Sequence, residues 1–271
     1  MKKIVTILLF LLSVLFLLPI LIVFVNSFKG KFFISGEPFN FPTSETFVGL
    51  TNYIDGVAKT GLFKAFGWSF FITVTSVVVI LIGTAMTGWY LVRVKSKITT
   101  GLYYMFVFSM IVPFQMVMFT MTKIADILNL SNPIGIVVIY LGFGSGLSVF
   151  TFVGFIKSIP LAMEEAAMID GCNPWQTFFK VVLPMLKPTA ITVAILNTMW
   201  IWNDYLLPSL VLNSTYSTIP IAVQSLKGGY GSIDMGAMMA MLVLAILPII
   251  IFYLSCQKYI IKGVAAGAVK G

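Results

Sequence analysis

The side chains that could do chemistry gather in one polar interval, Lys157 to Pro188, whose centre reads Glu164-Glu165-Ala166-Ala167-Met168-Ile169-Asp170-Gly171. Catalysis is not what this stretch suggests. The chain has no histidine, so neither a Ser-His nor a Cys-His pair nor a histidine metal site can be built. No Gly-x-x-x-x-Gly-Lys-Ser/Thr run occurs, and the glycine-rich stretches Gly142-Phe143-Gly144-Ser145-Gly146 and Gly228-Gly229-Tyr230-Gly231 lack the lysine that a phosphate cradle needs. What the interval offers is a docking surface. Its acidic start can pair with basic groups, Ala166 and Ala167 admit close backbone approach, and Met168 and Ile169 present apolar surface to a cleft.

The local signals around these residues predict two short helices. Pro160 suits a first turn, Glu164 and Glu165 complement a helix start, and Gly171 suits a left-handed close. Asn173 then caps a second helix with Pro174 in its first turn, which runs past Trp175, Phe178 and Phe179 and is expected to stop at Pro184. The elements that must position this pair are apolar. Of the 271 residues, 59% are hydrophobic and 10% charged, far from an average soluble domain. The expected architecture is all-α and membrane-integral, one domain over 1–271 with six spans near 4–25, 65–92, 101–122, 133–156, 188–207 and 235–257 and the helix pair in a 157–187 loop. Ile4 to Val25 follows Met1-Lys2-Lys3 as an uncharged stretch too long for a signal-peptide core and with no small-x-small cleavage site, so it is read as a retained first span. Pro113 and Pro248 mark expected kinks in the third and sixth spans. The glycine-bearing stretch Gly142–Gly146 lies within an apolar span and is read as close helix packing more readily than as a substrate path.

Charge supports a topology. With the N-terminus inside, Lys2, Lys3, Arg93, Lys95, Lys97, Lys157, Lys180, Lys187, Lys258, Lys262 and Lys270, eleven of the seventeen basic residues, fall on the inner side. Both termini and the Glu165 loop are then cytoplasmic, and Cys172 and Cys256 lie where thiols stay reduced. The net charge of +8 is scattered over span ends with no basic run, which serves orientation and not nucleic acid. The interiors of the spans hold no Asp, Glu, Lys, Arg or His, and Asp204 and Asp234 sit at span ends. An ion-coupled secondary carrier commonly needs such groups, so this alternative is disfavoured. Energy must enter from a partner.

The order Glu165-Ala166-Ala167, three residues, Gly171, nine residues, then Val181-Val182-Leu183-Pro184 resembles the signature loop of permease subunits of bacterial ATP-binding-cassette importers, with Asp170 in the form of the carbohydrate branch. Cys172 and Val181 depart from the usual small residue and Ile. Phe47-Val48-Gly49-Leu50-Thr51-Asn52-Tyr53 and Trp202-Asn203-Asp204-Tyr205 resemble further segments of carbohydrate permeases. Gln257-Lys258-Tyr259-Ile260-Ile261-Lys262-Gly263, with Gly267, Ala268, Val269, Lys270 and Gly271, resembles the C-terminal signature. The resemblance implies a type I importer permease of the maltose-type branch in a bacterial cytoplasmic membrane. It implies as partners a second homologous permease, two ATPase subunits that bind ATP and Mg, and an external solute-binding protein delivering a sugar. In that resemblance Glu164 through Gly171 with Leu183 and Pro184 form the coupling element, and Gly267 to Lys270 reach the ATPases. This chain would carry no cofactor or metal. Amino acids, peptides or polyol phosphates carried by the same machinery are the alternative cargo, disfavoured by the C-terminal signature. Ser109, Gln115, Asn197 and Thr198 are the polar residues expected along a sugar path, each equally able to bond a neighbouring helix.

Overall fold

The structure, a computed structural model, describes residues 2–227 and 233–268. Within them it is all-helical, with only isolated bridges at Lys29–Phe47 and Lys227–Ile233 outside the helices. In chain order the helices are α1 Lys2–Asn26, α2 Lys31–Gly36, α3 Thr51–Thr60, α4 Leu62–Arg93, α5 Lys97–Ser109, α6 Phe114–Ile127, α7 Pro133–Ile156, α8 Ala162–Ile169, α9 Pro174–Thr177, a π turn Phe178–Val182, α10 Leu183–Met185, α11 Lys187–Asn203, α12 Leu206–Val211, α13 Ile219–Gln224 and α14 Met235–Ala268. Lys3–Asn26, Leu62–Arg93, Pro133–Ile156 and Met235–Tyr259 are each long and apolar enough to cross a membrane. Two bent pairs pass the same test, α5 with α6 at 107° and Pro174–Met185 with α11 at 77°, which brings the total among the described residues to six if each pair is one span.

Proline explains where the helices depart from the sequence reading. Pro113 does not kink a continuous third span. It ends one: a proline disfavours the α conformation in the residue before it, Pro113 itself stands at φ −63° and ψ 137°, and α6 restarts at Phe114. Pro184, expected to stop a helix, sits inside one. The Leu183 N–H reaches back five residues to the Phe178 carbonyl, and this widened turn lets the chain pass a residue that has no N–H of its own. The break comes afterwards, between Met185 and Lys187. Pro208 likewise lies within α12, while α11 ends earlier, at Asn203. Pro248 is accommodated inside the continuous α14.

The chain divides into two compact units. The first comprises Met1–Gly67 and Ser217–Phe252. Here the end of α1 is knotted to the segment that leads into α3. Asn52 Nδ2 donates to the carbonyls of Ser27 and Lys29, each at 2.8 Å. Ser27 Oγ and Tyr53 Oη share a 2.7 Å hydrogen bond, and Phe28 packs between Phe24, Phe47 and Tyr53. Gly49, at φ +58°, makes the turn that an L side chain would strain. The Phe47–Tyr53 motif therefore fastens the end of α1. In the same unit α3 lies against α14, where a Cβ on Gly56 would come within 2.7 Å of Met241 Cε.

The second unit comprises Trp68–Tyr216 and Tyr253–Gly271. Two apolar clusters organise it. One joins Ile72, Val77 and Ile80 of α4 with Ile136 and Tyr140 of α7, Ile201 of α11 and Leu207 of α12. The other joins Ala85 of α4, Phe152 and Ile156 of α7, Phe178 and Val182 of the π turn, and Val193 of α11. Small residues let the helices meet. A Cβ on Gly144 would lie 2.7 Å from Ile80 Cδ1, one on Gly146 would lie 2.9 Å from the Phe106 carbonyl oxygen, and one on Gly88 would lie 3.1 Å from Phe152 Cβ. The packing role expected of the Gly142–Gly146 stretch is thus carried by Gly144 and Gly146, while Gly142 faces open space.

Candidate functional site

The loop between α7 and α11 contains the predicted helix-turn-helix. Helix α8 closes at Gly171, φ +86°, in a two-bond C-terminal motif: the Gly171 N–H donates to the Met168 carbonyl at 3.0 Å and the Cys172 N–H to the Ala167 carbonyl at 2.9 Å. Helix α9 opens with a capping box. Asn173 Oδ1 accepts from the Gln176 N–H and Gln176 Oε1 accepts from the Asn173 N–H, both at 2.9 Å, with Pro174 first in the helix. One residue, Cys172, separates the two motifs. Such a turn has little freedom to change the angle between its helices.

The two glutamates at the start of α8 face opposite ways. Glu165 is exposed, as the sequence reading has it, and so are Ala166, Met168, Asp170 and Ile169, the last at 86% of its free surface. Glu164 is not: only 3% of it reaches solvent. Its Oε1 accepts from Arg93 Nη2 at 2.7 Å and Arg93 Nε at 2.9 Å, and its Oε2 accepts from the Trp89 indole N–H at 2.9 Å. Arg93 Nη2 also donates to the Ile159 carbonyl at 3.0 Å. The last turn of α4 thus holds both the start of α8 and the chain that enters it. Beneath, Ala167 is buried, and Phe178 packs on Trp89 with ring centroids 5.5 Å apart. Leu183 is half-buried and Pro184 exposed on the far side of the π turn.

Arg93 and Trp89 were not legible as site residues. Arg93 reads as a topological charge closing a span, and Trp89 as one aromatic residue in an apolar stretch. The pairing spans 71 residues to Arg93 and 75 to Trp89, beyond what spacing can reveal. A second such pair joins α7 to the break after α11. The Tyr140 hydroxyl donates to Asp204 Oδ2 at 3.0 Å, and Asp204 Oδ1 accepts from the Leu207 N–H that opens α12. Trp200 stands edge-on to Tyr140 at 5.4 Å.

The four polar residues expected along a sugar path have different surroundings. Asn197 is buried, and its Nδ2 donates to Ser148 Oγ at 3.2 Å and to the Val193 carbonyl at 2.9 Å, tying α11 to α7. Ser109 Oγ donates to the Phe106 carbonyl at 2.6 Å, beside Gly146. Asn197 and Ser109 therefore flank one turn of α7. Gln115 is exposed just after the Pro113 break, and Thr198 is half-buried in α11. Of the C-terminal residues, Gly267 and Ala268 lie in the last turn of α14, and Val269 and Lys270 lie outside the described residues. Among the described residues no three His, Cys, Asp or Glu side chains come together as a metal site.

The arrangement is a helix pair, hydrogen-bonded at its joint and braced on α4, with one face of α8 turned outward. A multi-pass, all-helical transport subunit is the class it defines. Residues 79–266 match the family of binding-protein-dependent transport system inner membrane components, and the chain belongs to that family, the permease subunits of ABC importers. It is 40% identical, over 99% of its length and 97% of the relative's, to the "Probable starch degradation products transport system permease protein AmyC" of Thermoanaerobacterium thermosulfurigenes. It is 36% identical to the multiple sugar-binding transport system permease protein MsmG of Streptococcus mutans, over 95% and 93% of the two chains. Its fold matches a chain of a bacterial ABC transporter that imports the acidic polysaccharide alginate, at TM-score 0.79, 23% identity and 95% coverage of both chains.

Proposed function

We propose that this chain forms half of the translocation pathway of an importer that takes up sugars, most simply oligosaccharides, using ATP hydrolysed by partner subunits. The observation that carries the coupling role is α8 itself, fixed at its start by the Arg93–Glu164 pair and at its end by Gly171, with Glu165, Ala166, Met168, Ile169 and Asp170 turned outward. A helix so braced moves as one body with α4. When two ATPase subunits close on ATP and Mg, a cleft holding this face would displace it, and the spans joined to it at Ile156 and Lys187 would follow. Glu165 pairs with a basic group of the ATPase and Ile169 fills the cleft, while Leu183 and Pro184 carry the motion into α11. The tail, Gly267 to Lys270, adds a second contact with the ATPases.

The cargo class is supported by the starch-product and sugar transport named for the two relatives. The remaining assembly in this reading is a second, homologous permease, two ATPases, and an extracytoplasmic solute-binding protein that selects the sugar, and the family assignment supports it. The single membrane domain runs through 1–271 in a bacterial cytoplasmic membrane, with both termini and the 157–187 loop inside, supported by the eleven inner basic residues. Among the four path residues, Asn197 hydrogen-bonds a neighbouring helix and Ser109 bonds within its own, so Gln115 and Thr198 are the candidates left for a sugar.

The test is co-purification of the chain with its ATPase and second permease, followed by reconstituted ATPase and sugar-uptake assays on the native sequence, Gly171→Asp and Glu165→Lys. Complex formation with hydrolysis uncoupled from uptake in the variants supports the reading. Transport by the chain alone under an ion gradient, indifferent to both substitutions, overturns it.

A further inference from the structure

Three helix ends meet beside the Arg93–Glu164 brace. The last turn of α4, the first of α5 and the last of α7 enclose a half-open cleft of about 470 Å³. Arg93, Lys95 and Lys157 line it, with the Thr99 and Thr100 segment and Tyr103 between them and Leu91, Val92 and Val153 on the bilayer side. Lys157 Nζ stands 5.6 Å over the Tyr103 ring, which holds one edge of the cleft in place. Among the described residues, no carboxylate lies within 4.0 Å of Lys95 or Lys157, and Arg93 commits only Nε and Nη2 to Glu164 and Ile159. Among the described residues two lysines without a paired carboxylate thus converge with Arg93, whose charge is paired with Glu164, at the edge of an apolar wall.

We propose that this cleft binds the phosphate of an anionic phospholipid. The two lysine ammoniums and the Nη1 of Arg93 take the phosphate, and the apolar wall takes the upper acyl chain, a distribution that basic pockets between membrane helices use for acidic head groups. The occupant is a lipid and not a soluble phosphate because Leu91 and Val92, both partly exposed on the apolar helix α4, continue the cleft along the span. The proposal rests on α4, α5 and α7 crossing the bilayer as argued above. Its consequence is regulatory: a lipid phosphate on Arg93 lies against the brace of the coupling helix, so the acidity of the leaflet tunes how firmly α8 is held.

Native mass spectrometry of the full-length chain in detergent, supplied with phosphatidylglycerol, phosphatidylcholine or inorganic phosphate, tests it without ATP or sugar. The native chain retains phosphatidylglycerol over phosphatidylcholine, and Lys95→Gln/Lys157→Gln weakens that retention roughly tenfold while leaving phosphatidylcholine unchanged. The exposed pair Lys64→Gln/Lys123→Gln removes equal charge elsewhere and leaves retention intact. Equal retention of both lipids, equal loss in the two double variants, or protection by inorganic phosphate in place of lipid overturns the proposal. Because transport is not read, these outcomes are independent of whether the importer assignment stands.

Discussion

Arg93 and Glu164 form a bidentate ion pair, at 2.7 and 2.9 Å to one carboxylate oxygen, in which the acid is almost fully buried. Removing one partner of such a pair strands a charge in a poorly solvated place, a loss of about 3–5 kcal/mol, whereas removing both costs far less. Arg93→Ala should therefore destabilise the detergent-solubilised protein strongly, and Arg93→Ala/Glu164→Leu should recover much of the loss. Arg93→Lys should not substitute, since a point charge cannot reach Glu164 and the Ile159 carbonyl together. Thermal unfolding of the three variants decides it. A double variant no better than Arg93→Ala would show that the pair does not act as a unit.

Gly171 makes a different demand. Nothing lies within 4 Å of a Cβ built there, so Gly171→Ala meets no steric obstacle outside its own backbone. The cost is conformational, about 1–2 kcal/mol for a left-handed residue, and Gly171→Asn should recover part of it. Because the strain falls on the joint between α8 and α9, the ratio of sugar carried to ATP hydrolysed should drop in Gly171→Ala even where folding survives. Measuring that ratio in proteoliposomes alongside the unfolding midpoint separates the two effects. An unchanged ratio would mean that the joint need not be rigid.

What the chain reveals before folding is what lies close together in it. Asn173, Pro174 and Gln176 cap one another, Gly171 ends its own helix, and Glu165-Ala166-Ala167 with Gly171 carry the family pattern, so the helix pair is readable from local spacing. Trp89 and Arg93 are not, because nothing in a span's sequence marks which distant carboxylate its end will meet. Pro184 misleads for a physical reason: a proline breaks an α-helix, but the preceding π turn relieves the clash, and no residue type announces a π turn. Pro113 is placed correctly as a weak point yet does more than expected, since the two helices it separates differ by 107°.

In the first compact unit Lys59 Nζ donates to Asp234 Oδ2 at 2.5 Å, joining α3 to the start of α14. Partial burial works to raise the Asp234 carboxyl, but the Lys59 hydrogen bond, the Ala237 N–H and the charges of Lys59 and Lys31 together hold it below its ordinary value. The Lys59 ammonium is raised above its ordinary value by the same hydrogen bond and charge. For a depressed acid the stabilisation is present at neutral pH and lost as pH falls through the folded-state value. For a raised base it is lost only as pH climbs through the alkaline value. The pair should therefore add a modest acid-side decline below the usual carboxylate range, small because Lys59 is half exposed. Asp234→Asn should abolish that part of the decline between neutral and acid pH. Unfolding midpoints of both proteins across that range are the check, and parallel curves would dismiss the pair as a contributor.

Asn197 and Gly144 separate helix packing from sugar binding. Asn197 spends its amide N–H groups on Ser148 and the Val193 carbonyl, and its Oδ1 lies 2.9 Å from where a Gly144 Cβ would be. If its role is to join α7 and α11, Asn197→Ala should lower stability by about 1 kcal/mol, the scale of a hydrogen bond between membrane helices, and leave the sugar concentration for half-maximal uptake unchanged. Gly144→Ala should cost more, about 1–3 kcal/mol, because the added methyl meets both Ile80 Cδ1 at 2.7 Å and Asn197. Combining the two should cost less than their sum, since removing the Asn197 amide clears one of the two clashes. By contrast Gln115→Ala, at an exposed position with no hydrogen-bond partner among the described residues, should leave stability alone and weaken uptake if a sugar passes it. Uptake titrations beside unfolding curves give both readings on each variant. A sugar dependence that shifts in Asn197→Ala and not in Gln115→Ala would reverse the assignment and place the path along the α7–α11 seam.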